Sequence, residues 1–475
     1  MKKYLLFLLL LIPGLLKAQD AHYWGSNFSP AGFLTPGAAI VNTLDSGVVY
    51  LNPAVMAWSD KTATSISSSI YQYDYVKIKN GVGTGKNLVS NNTKIIPQLI
   101  SKTFKLNKDH PLTIGFALIQ NPMQDFQTSQ RQDKKANVLS DSYSPGDEVY
   151  IGQFDAQNRT TETYAQLSVG KRLTHKLAAG ITVEGMLRRA ETSSNFSSRA
   201  LFNTNNDPDV IFPPIARYDL SYRTDYTYAG LRVKLGLSYD SGPHHLGMLL
   251  SSPLAKLYTK GDVISDLNIA NLISDNDVKN PYNLLGSTRQ NNLKATYKMP
   301  LSLAAGYAYD YDLGQIYIAV EYFGSINQYS ILKPDDISFI KTGSSPSTEN
   351  TGLLNLTDGR RNVMNVGLGY SRVINDVFTL MSSVRTDFNY LDPKMDDQGH
   401  VSLWDNYHAQ VGGNFKRRKF NLRAGLLLTY GRTGSYNQPI NFDNISDQNQ
   451  LMGVPGTVPA KHFTAGLLIS YVHNF

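Results

Sequence analysis

The sequence predicts an all-β protein: a 14-stranded antiparallel transmembrane β-barrel. Three observations predict it, namely an alternating aromatic-rich stretch that ends on Phe475, turns that alternate in length, and an export signal with no later apolar helix. Within 461–475, one face reads Phe463, Ala465, Leu467, Ile469, Tyr471, His473 and Phe475. The other reads Thr464, Gly466, Leu468, Ser470, Val472 and Asn474, so only Leu468 and Val472 break the alternation. An apolar stripe with aromatics near both ends, backed by small and polar residues, suits a lipid-facing barrel strand.

The first residues read as a signal peptide spanning 1–18. Lys2 and Lys3 form its basic start, Tyr4 to Leu16 its apolar core broken by Pro13-Gly14, and Ala18 precedes a cut before Gln19. Leu16, at the minus-three position, is bulkier than usual. This core is too short to span a bilayer as a helix. The chain has no cysteine, which fits an exported protein held together without disulfides. With 29 Tyr, 37 Gly and only 17% charged residues, the composition is that of a barrel rather than a soluble enzyme. Removing Lys2, Lys3 and Lys17 with the signal lowers the formal charge from +7 to about +4. Spread over this length, that charge gives no nucleic-acid surface. A mean hydropathy of -0.27 is what a polar lumen and an apolar exterior average to.

Fourteen alternating segments follow, near 62–77, 94–106, 110–127, 159–173, 175–191, 218–240, 243–259, 291–311, 313–331, 359–373, 375–390, 403–416, 418–434 and 459–475. Leu231, Val233, Leu235 and Leu237 oppose Arg232, Lys234, Gly236 and Ser238; Leu422, Ala424, Leu426 and Leu428 oppose Arg423, Gly425, Leu427 and Thr429. Charges confined to one face fit a wet lumen, because Arg or Lys at mid-bilayer costs roughly 2–4 kcal/mol. Tight turns fall near 107–109, 173–175, 240–243, 311–314, 374–376 and 416–419. Longer polar stretches, read as external loops, fall near 78–93, 128–158, 192–217, 260–290, 332–358, 391–402 and 435–458. Short turns on one side and long loops on the other are the build of an outer-membrane barrel.

Residues 19–60 fit no strand. The run from Gly37 through Asp45 and Tyr50 to Asn52-Pro53-Ala54 is small-residue-rich, turn-like and stopped by proline, which suggests a compact plug preceding the barrel of 61–475. Gly37, Ala38, Asp45, Tyr50, Asn52, Pro53 and Ala54 match a G-A-x-x-A…D…Y-x-N-P-A segment. On these residues the chain resembles the outer-membrane hydrophobic-compound transporters typified by the fatty-acid transporter FadL and its aromatic-hydrocarbon relatives. Leu249 to Asp262, with its Lys260-Gly261-Asp262 ending, and Lys298 to Tyr309, with Pro300 and Gly306, resemble further segments of that family. The third and fifth external loops are extended relative to the family. Separately, Thr464, Gly466, Ile469 and Tyr471 resemble the terminal signal read by the barrel assembly machinery.

The resemblance implies an N-terminal hatch (plug) inside the lumen, with Asp45, Asn52, Pro53 and Ala54 as gating residues. It also implies outer membrane lipids and a hydrophobic small molecule, such as a long-chain fatty acid, as partners. Some proteins of this fold serve type IX secretion, so a role in secretion or surface attachment, with secreted proteins as partners, stands as the alternative. From the residues alone, Val263, Ile264, Leu267 and Ala270 share one face of a helical turn, and Phe196, Phe202 and Phe212 enrich the preceding loop. These residues either pack the loops or form a capture groove, and the resemblance favours the groove. Inward Glu184, Arg188, Arg232, Lys234, Glu321 and Arg423 read as lumen solvation or plug anchors. Asn121-Pro122 interrupts the third strand. Proline cannot donate to a ladder, so Pro122 marks either a break in the wall or the rim where a loop begins. The resemblance implies the break, opening sideways.

Catalysis is not expected. Gly81 to Asn87 lacks the Ser/Thr that follows lysine in a phosphate loop, and no G-x-S-x-G elbow occurs. His244-His245 has no third ligand at metal spacing, and Asp262, Asp266, Asp275 and Asp277 lack the order of a calcium loop, so neither metal nor cofactor is expected.

Overall fold

The computed structural model describes residues 21–25, 34–35, 38–41, 51–59, 62–106, 112–205, 209, 212–274, 277–335, 339–341, 354–391 and 402–475. The signal segment lies outside them, as do Gly37, Asp45 and Tyr50. The wall is a closed antiparallel barrel of fourteen strand positions. β1 (Ala63–Ile78), β2 (Leu88–Lys105), β3 (Leu112–Ala136), β4 (Glu148–Arg172), β5 (Leu177–Leu201) and β6 (Ile215–Ser241) each fill one. The seventh is split: β7 (His244–Ser251) pairs with the lower half of β6, and β8 (Ala255–Ser274) with its upper half. Ser252-Pro253-Leu254 lies between them, where proline cannot continue the ladder. β9 (Asp277–Leu293) and β10 (Ser302–Tyr311) divide the eighth position in the same way.

β11 (Gly314–Phe323) follows, while β12 (Ile326–Leu332) and β13 (Ile340–Lys341) lie above it. β12 pairs with β14 (Leu356–Arg360) in a small separate sheet, and β13 pairs with β9. The wall continues through β15 (Val363–Val373), β16 (Phe378–Asp387), β17 (Asp405–Lys416), β18 (Phe420–Asn437) and β19 (Thr457–Asn474). β19 then pairs with β1 from Ala63↔Asn474 to Ile78↔Ala460, which closes the cylinder. Only two short helical turns are described, α1 (Ala38–Val41) and a 3₁₀ turn at Val55–Trp58, and both precede β1.

The expected alternation places side chains as charge and hydropathy demand. Leu231, Val233, Leu235 and Leu237 are exposed on the outer face, whereas Lys234 is buried inside. Leu422, Leu426, Leu428 and Tyr430 are likewise exposed, with Arg423 buried. The stretch from Phe420 to Tyr430 rises about 34 Å along the strand and, at a tilt of about 40°, about 26 Å across the wall, matching the apolar band of roughly 25 Å. Tyr75, Phe463, Tyr430 and Tyr407 are cross-strand neighbours in one row, the outer edge of that band.

The structure corrects the sequence reading of the external side. β3, β4 and β5 each run for 25 residues and β6 for 27, against 10 for β10, β11 and β16. A bilayer needs only about 9–11. Most of 128–158, 192–217 and 260–290 is therefore ladder above the membrane, not loop. The helical face across 261–273 is also wrong, because that segment is β8, with Val263, Leu267 and Ile269 turned inward and Ile264 and Ala270 half-buried on the opposite face. Pairing on two sides, with β6 and β9, overrides its local pattern.

Tyr471 stacks on Phe420 at 5.8 Å, and the Phe475 N–H donates to Thr62 O at 3.0 Å. Replacing both Tyr471 and Phe475 with Ser removes aromatic anchors from the strand that closes the barrel. The double variant is expected to yield no heat-modifiable barrel in outer-membrane fractions; a normal heat-modifiable band would refute this role.

Candidate functional site

The described N-terminal pieces lie inside the barrel because glycines let backbone meet backbone. Added Cβ atoms would come 1.9 Å from Ile40 O at Gly247 and 2.6 Å from Pro53 C at Gly180. At Gly236 one would come 2.0 Å from Asn52 Oδ1, and at Gly306 2.2 Å from Val41 Cγ2. These glycines sit on neighbouring strands in register, as Gly180↔Gly236 and Gly306↔Gly247, and make a flat floor for Ile40, Val41 and Asn52 to Ala54. No side chain larger than hydrogen fits there.

Asn52 fastens the segment. Its amide donates to Ile40 O at 2.8 Å, to Leu237 O of β6 at 3.0 Å and to Met248 O of β7 at 3.3 Å, while its Oδ1 accepts from Ala54 N at 3.1 Å. One buried side chain thus ties two parts of the segment to two wall strands. Arg172 donates to Ala57 O and Trp58 O at 2.8 and 3.0 Å, and Trp58 Nε1 donates to Ser238 Oγ at 2.9 Å. On the far wall, Trp24 Nε1 donates to Glu321 Oε2 at 2.7 Å, and Ser383 Oγ to Leu34 O at 2.7 Å.

Above these pieces lies a cavity of about 230 Å³. Its lining mixes Ile40, Leu249, Met299 and Phe323 with Lys94, Arg232, Lys234, Arg360 and Arg385. The charges are held in networks. Glu184 takes Arg232 and Lys234, the latter at 2.7 Å. Arg188 donates to Glu162 at 2.5 Å and to Tyr226 OH at 3.0 Å, with its guanidinium 4.2 Å from the Tyr297 ring. Arg360 pairs with Asp358 at 3.1 Å and lies 4.4 Å from the Tyr390 ring. Asp387 accepts the backbone N–H of Trp24 at 2.9 Å. Of the six inward charges expected from sequence, Glu184, Arg188, Arg232 and Lys234 form wall networks, Glu321 anchors the N-terminal segment, and Arg423 is buried.

The wall has a break. β2 pairs with β3 only from Lys105↔Thr113 to Leu99↔Ile119, although both strands continue upward. On its other edge β3 bulges against β4, where Pro122 faces Thr161 and Gln124 faces Thr160, leaving Met123 extra. β3 runs on to Ala136, so Pro122 sits within the wall and not at its rim. Side chains close the top of the gap: Asn92 Nδ2 donates to Asp125 O at 2.6 Å, and Gln127 N to Ser90 Oγ at 3.1 Å. Between these limits the cavity reaches Gln98, Asn121, Pro122, Met123 and Gln124. The buried Gln98 Oε1, Asn121 Oδ1 and Gln124 Oε1 accept no hydrogen bond among the described residues. By register with β1 and β19, β2 residues 93–98 lie between the Phe463 and Ser470 levels, inside the apolar band.

The external candidates separate. Phe196, Val263 and Leu267 belong to one buried cluster with Tyr150, Tyr218, Phe442 and Leu451, and Phe126 links that cluster to the cavity. Phe202 packs at its edge against Tyr143, 5.1 Å away. Ile264 faces the other side of β8, and Phe212 is 88% exposed. Much of the cluster's cap comes from the stretch between β18 and β19: Ser198 Oγ and Tyr150 OH both donate to Leu451 O, at 2.9 and 3.2 Å. Sequence reasoning missed this inserted cap and the glycine floor. The floor left a signal, since Gly170, Gly180, Gly236 and Gly247 recur close to the tight turns.

Gly247→Ala forces the Ile40 backbone away, and Asn52→Ala removes its hydrogen bonds, at about 1–3 kcal/mol for buried groups left unpaired. Both variants are expected to raise single-channel conductance while the barrel's melting temperature holds. Unchanged conductance in both would show that the segment does not obstruct the lumen.

No family model and no curated protein matches the chain. Solved structures do. A Pseudomonas aeruginosa FadL homologue aligns with a TM-score of 0.57 at 13% identity, covering 96% of this chain and 100% of that one. The Pseudomonas putida toluene transporter TodX aligns at 0.54 and 14%, covering 96% and 100%. The Ralstonia pickettii toluene transporter TbuX aligns at 0.52 and 13%, covering 94% and 98%. The chain therefore has the fold of the FadL-like transporters.

Proposed function

We propose that this protein is an outer-membrane passive transporter for hydrophobic small molecules, with long-chain fatty acids as the leading substrate class. The observation that carries the reading is the gap between β2 and β3, which joins the lumen cavity to the membrane level of the wall. An apolar solute enters from the outside past the cluster of Phe196, Val263 and Leu267, occupies the cavity, and leaves sideways at Asn121-Pro122. The N-terminal segment held by Asn52, Pro53 and Ala54 acts as the hatch, and Asp45 is its remaining proposed gating residue. The mixed cavity lining suits an amphipathic ligand, because apolar side chains take the chain while its carboxylate competes with Asp74, 3.0 Å away, for Lys94 or with Asp358 for Arg360. The toluene transporters of the same fold support the broader class of hydrophobic solutes. A role in protein secretion or surface attachment draws on the tall external wall but gives the gap no purpose.

Deleting Met123 and replacing Pro122 with Val restores the residue count opposite Thr160 and Thr161, and replacing Pro97, in the unpaired stretch of β2, with Val supplies that strand's missing donor as well, so β3 can zip against both neighbours. Uptake of a radiolabelled long-chain fatty acid by cells carrying this variant is expected to fall towards that of cells lacking the protein. Wild-type uptake by a correctly inserted variant would exclude the lateral route, and equal uptake with and without the wild-type protein would exclude transport altogether.

A further inference from the structure

Three cations lie side by side on the outer face, and the acid next in their row is turned to other partners. Lys77 of β1 is the cross-strand neighbour of Lys461 on β19, and Lys461 that of Arg432 on β18. Lys461 and Arg432 are exposed and Lys77 half-buried. None of the three makes an ion pair among the described residues. Asp405 is the next residue in the row, opposite Arg432, but its carboxylate lies 4.0 Å from Arg361 and accepts the Asn389 N–H at 2.9 Å. Like charges directly opposite one another destabilise a sheet. Several other exposed arginines of the external wall are paired, Arg159 with Asp125 at 3.7 Å, Arg223 with Glu191 at 2.8 Å and Arg217 with Asp219 at 3.5 Å, whereas Arg189 of β5 and Arg289 of β9 stand singly without an ion pair among the described residues.

The place of the row says what should balance it. Two residues nearer mid-membrane on the same strands come Tyr75, Phe463 and Tyr430, and the Lys461 ammonium lies 5.9 Å from the Tyr75 ring. The cations thus stand just outside the aromatic girdle, at headgroup level. On the mid-membrane side of Arg432 and Lys461, and next to the strand that carries Lys77, an open groove of about 600 Å³ crosses β15 to β19, floored by the small Ala409 and walled by Leu428, Tyr407, Tyr430 and Phe463. Its lining is almost wholly apolar.

We infer that Lys77, Arg432 and Lys461, with the groove over Ala409, bind a phosphorylated, multiply acylated glycolipid of the outer leaflet. Adjacent strands are about 4.8 Å apart, so the row spans about 10 Å and can serve two phosphates, while an acyl chain lies in the groove below. A single-chain anionic amphiphile has no use for so broad a row, and a protein partner would have to displace lipid from the girdle. The inference rests on the outer-membrane placement proposed above but not on transport.

The test uses delipidated full-length protein in non-ionic micelles, with bis-phosphorylated lipid A as the probe and native mass spectrometry as the readout. Each cation near a membrane surface strengthens anion binding roughly fivefold, so K77Q/R432Q/K461Q should lose about a hundredfold in affinity. Phosphate-free lipid A should bind wild type and triple variant equally weakly, and Ala409→Trp, which fills the groove but keeps the charge, should also weaken the bis-phosphorylated probe. Heat-modifiability establishes that each variant is folded. Equal affinity of wild type and triple variant, or tight binding of the phosphate-free lipid, would overturn the assignment. Because the assay contains no uptake step, its failure leaves the transport reading standing, and failed uptake leaves this one.

Discussion

The structure depends on one constraint: within hydrocarbon, each backbone N–H and C=O must find a partner, because an unmet group costs several kcal/mol. A sheet closed from β19 back to β1 meets it, and the fourteen positions, the alternating faces and the apolar belt follow. Against that rule the separation of β2 from β3 above Ile119 stands out. Backbone is left open at the level where exposure costs most, where Pro97 of β2 and Pro122 of β3 each remove a donor and each strand bulges against its other neighbour, β2 at Gln98 against β1 and β3 at Met123 against β4. Amide side chains gather at the break, so the polar groups there face the cavity rather than lipid. An opening so expensive to maintain is the feature on which the proposed lateral route rests.

The lumen of this barrel is lined by paired charges and partly occupied. Its wall charges are neutralised in pairs within the wall, as with Glu162 and Arg188, leaving few to solvate free water. The described N-terminal pieces take up part of the remaining space, and the glycine floor decides where. Asn52 then converts contact into attachment, since its amide reaches carbonyls of β6 and β7 as well as Ile40. An attachment made chiefly of hydrogen bonds is of the size that a local rearrangement can break and remake, each being worth about 1 kcal/mol net.

Much of this was legible in the sequence, and what was not has a physical reason. Alternation in Leu231 to Leu237 and Leu422 to Tyr430 gave the strand count, because a two-sided wall writes a period of two into the chain. It failed above the membrane. There both faces of β4 and β5 are rich in Ser, Thr, Asn and Gln, and polar ladder reads like loop when only hydropathy is followed. Val263, Ile264, Leu267 and Ala270 satisfied a helical period by coincidence, and only pairing partners far along the chain identify β8 as a strand. Pro122 was readable as an interruption, but whether it lay at the rim or in the wall depended on how far β3 continued. The cap around Phe442 and Leu451 was not readable at all, since its partners on β4 and β5 lie hundreds of residues away.

The two ends of the lumen together explain why a sideways route makes physical sense. Outward, the cavity abuts a packed aromatic cluster; inward, it abuts the N-terminal segment on its glycine floor. For an apolar solute, completing the journey through the lower end means entering periplasmic water. At roughly 0.8 kcal/mol per methylene, a chain of about a dozen methylenes would give up on the order of 10 kcal/mol on that step. Leaving through the gap between β2 and β3 keeps the same chain in an apolar medium throughout, so the step carries no comparable barrier. A polar solute faces the opposite choice, because hydrocarbon then supplies the barrier. On the proposed route the same opening would select by hydrophobicity without a specific ligand contact, and a cavity lined by both apolar side chains and cations would serve a range of amphipathic molecules while rejecting hydrophilic ones.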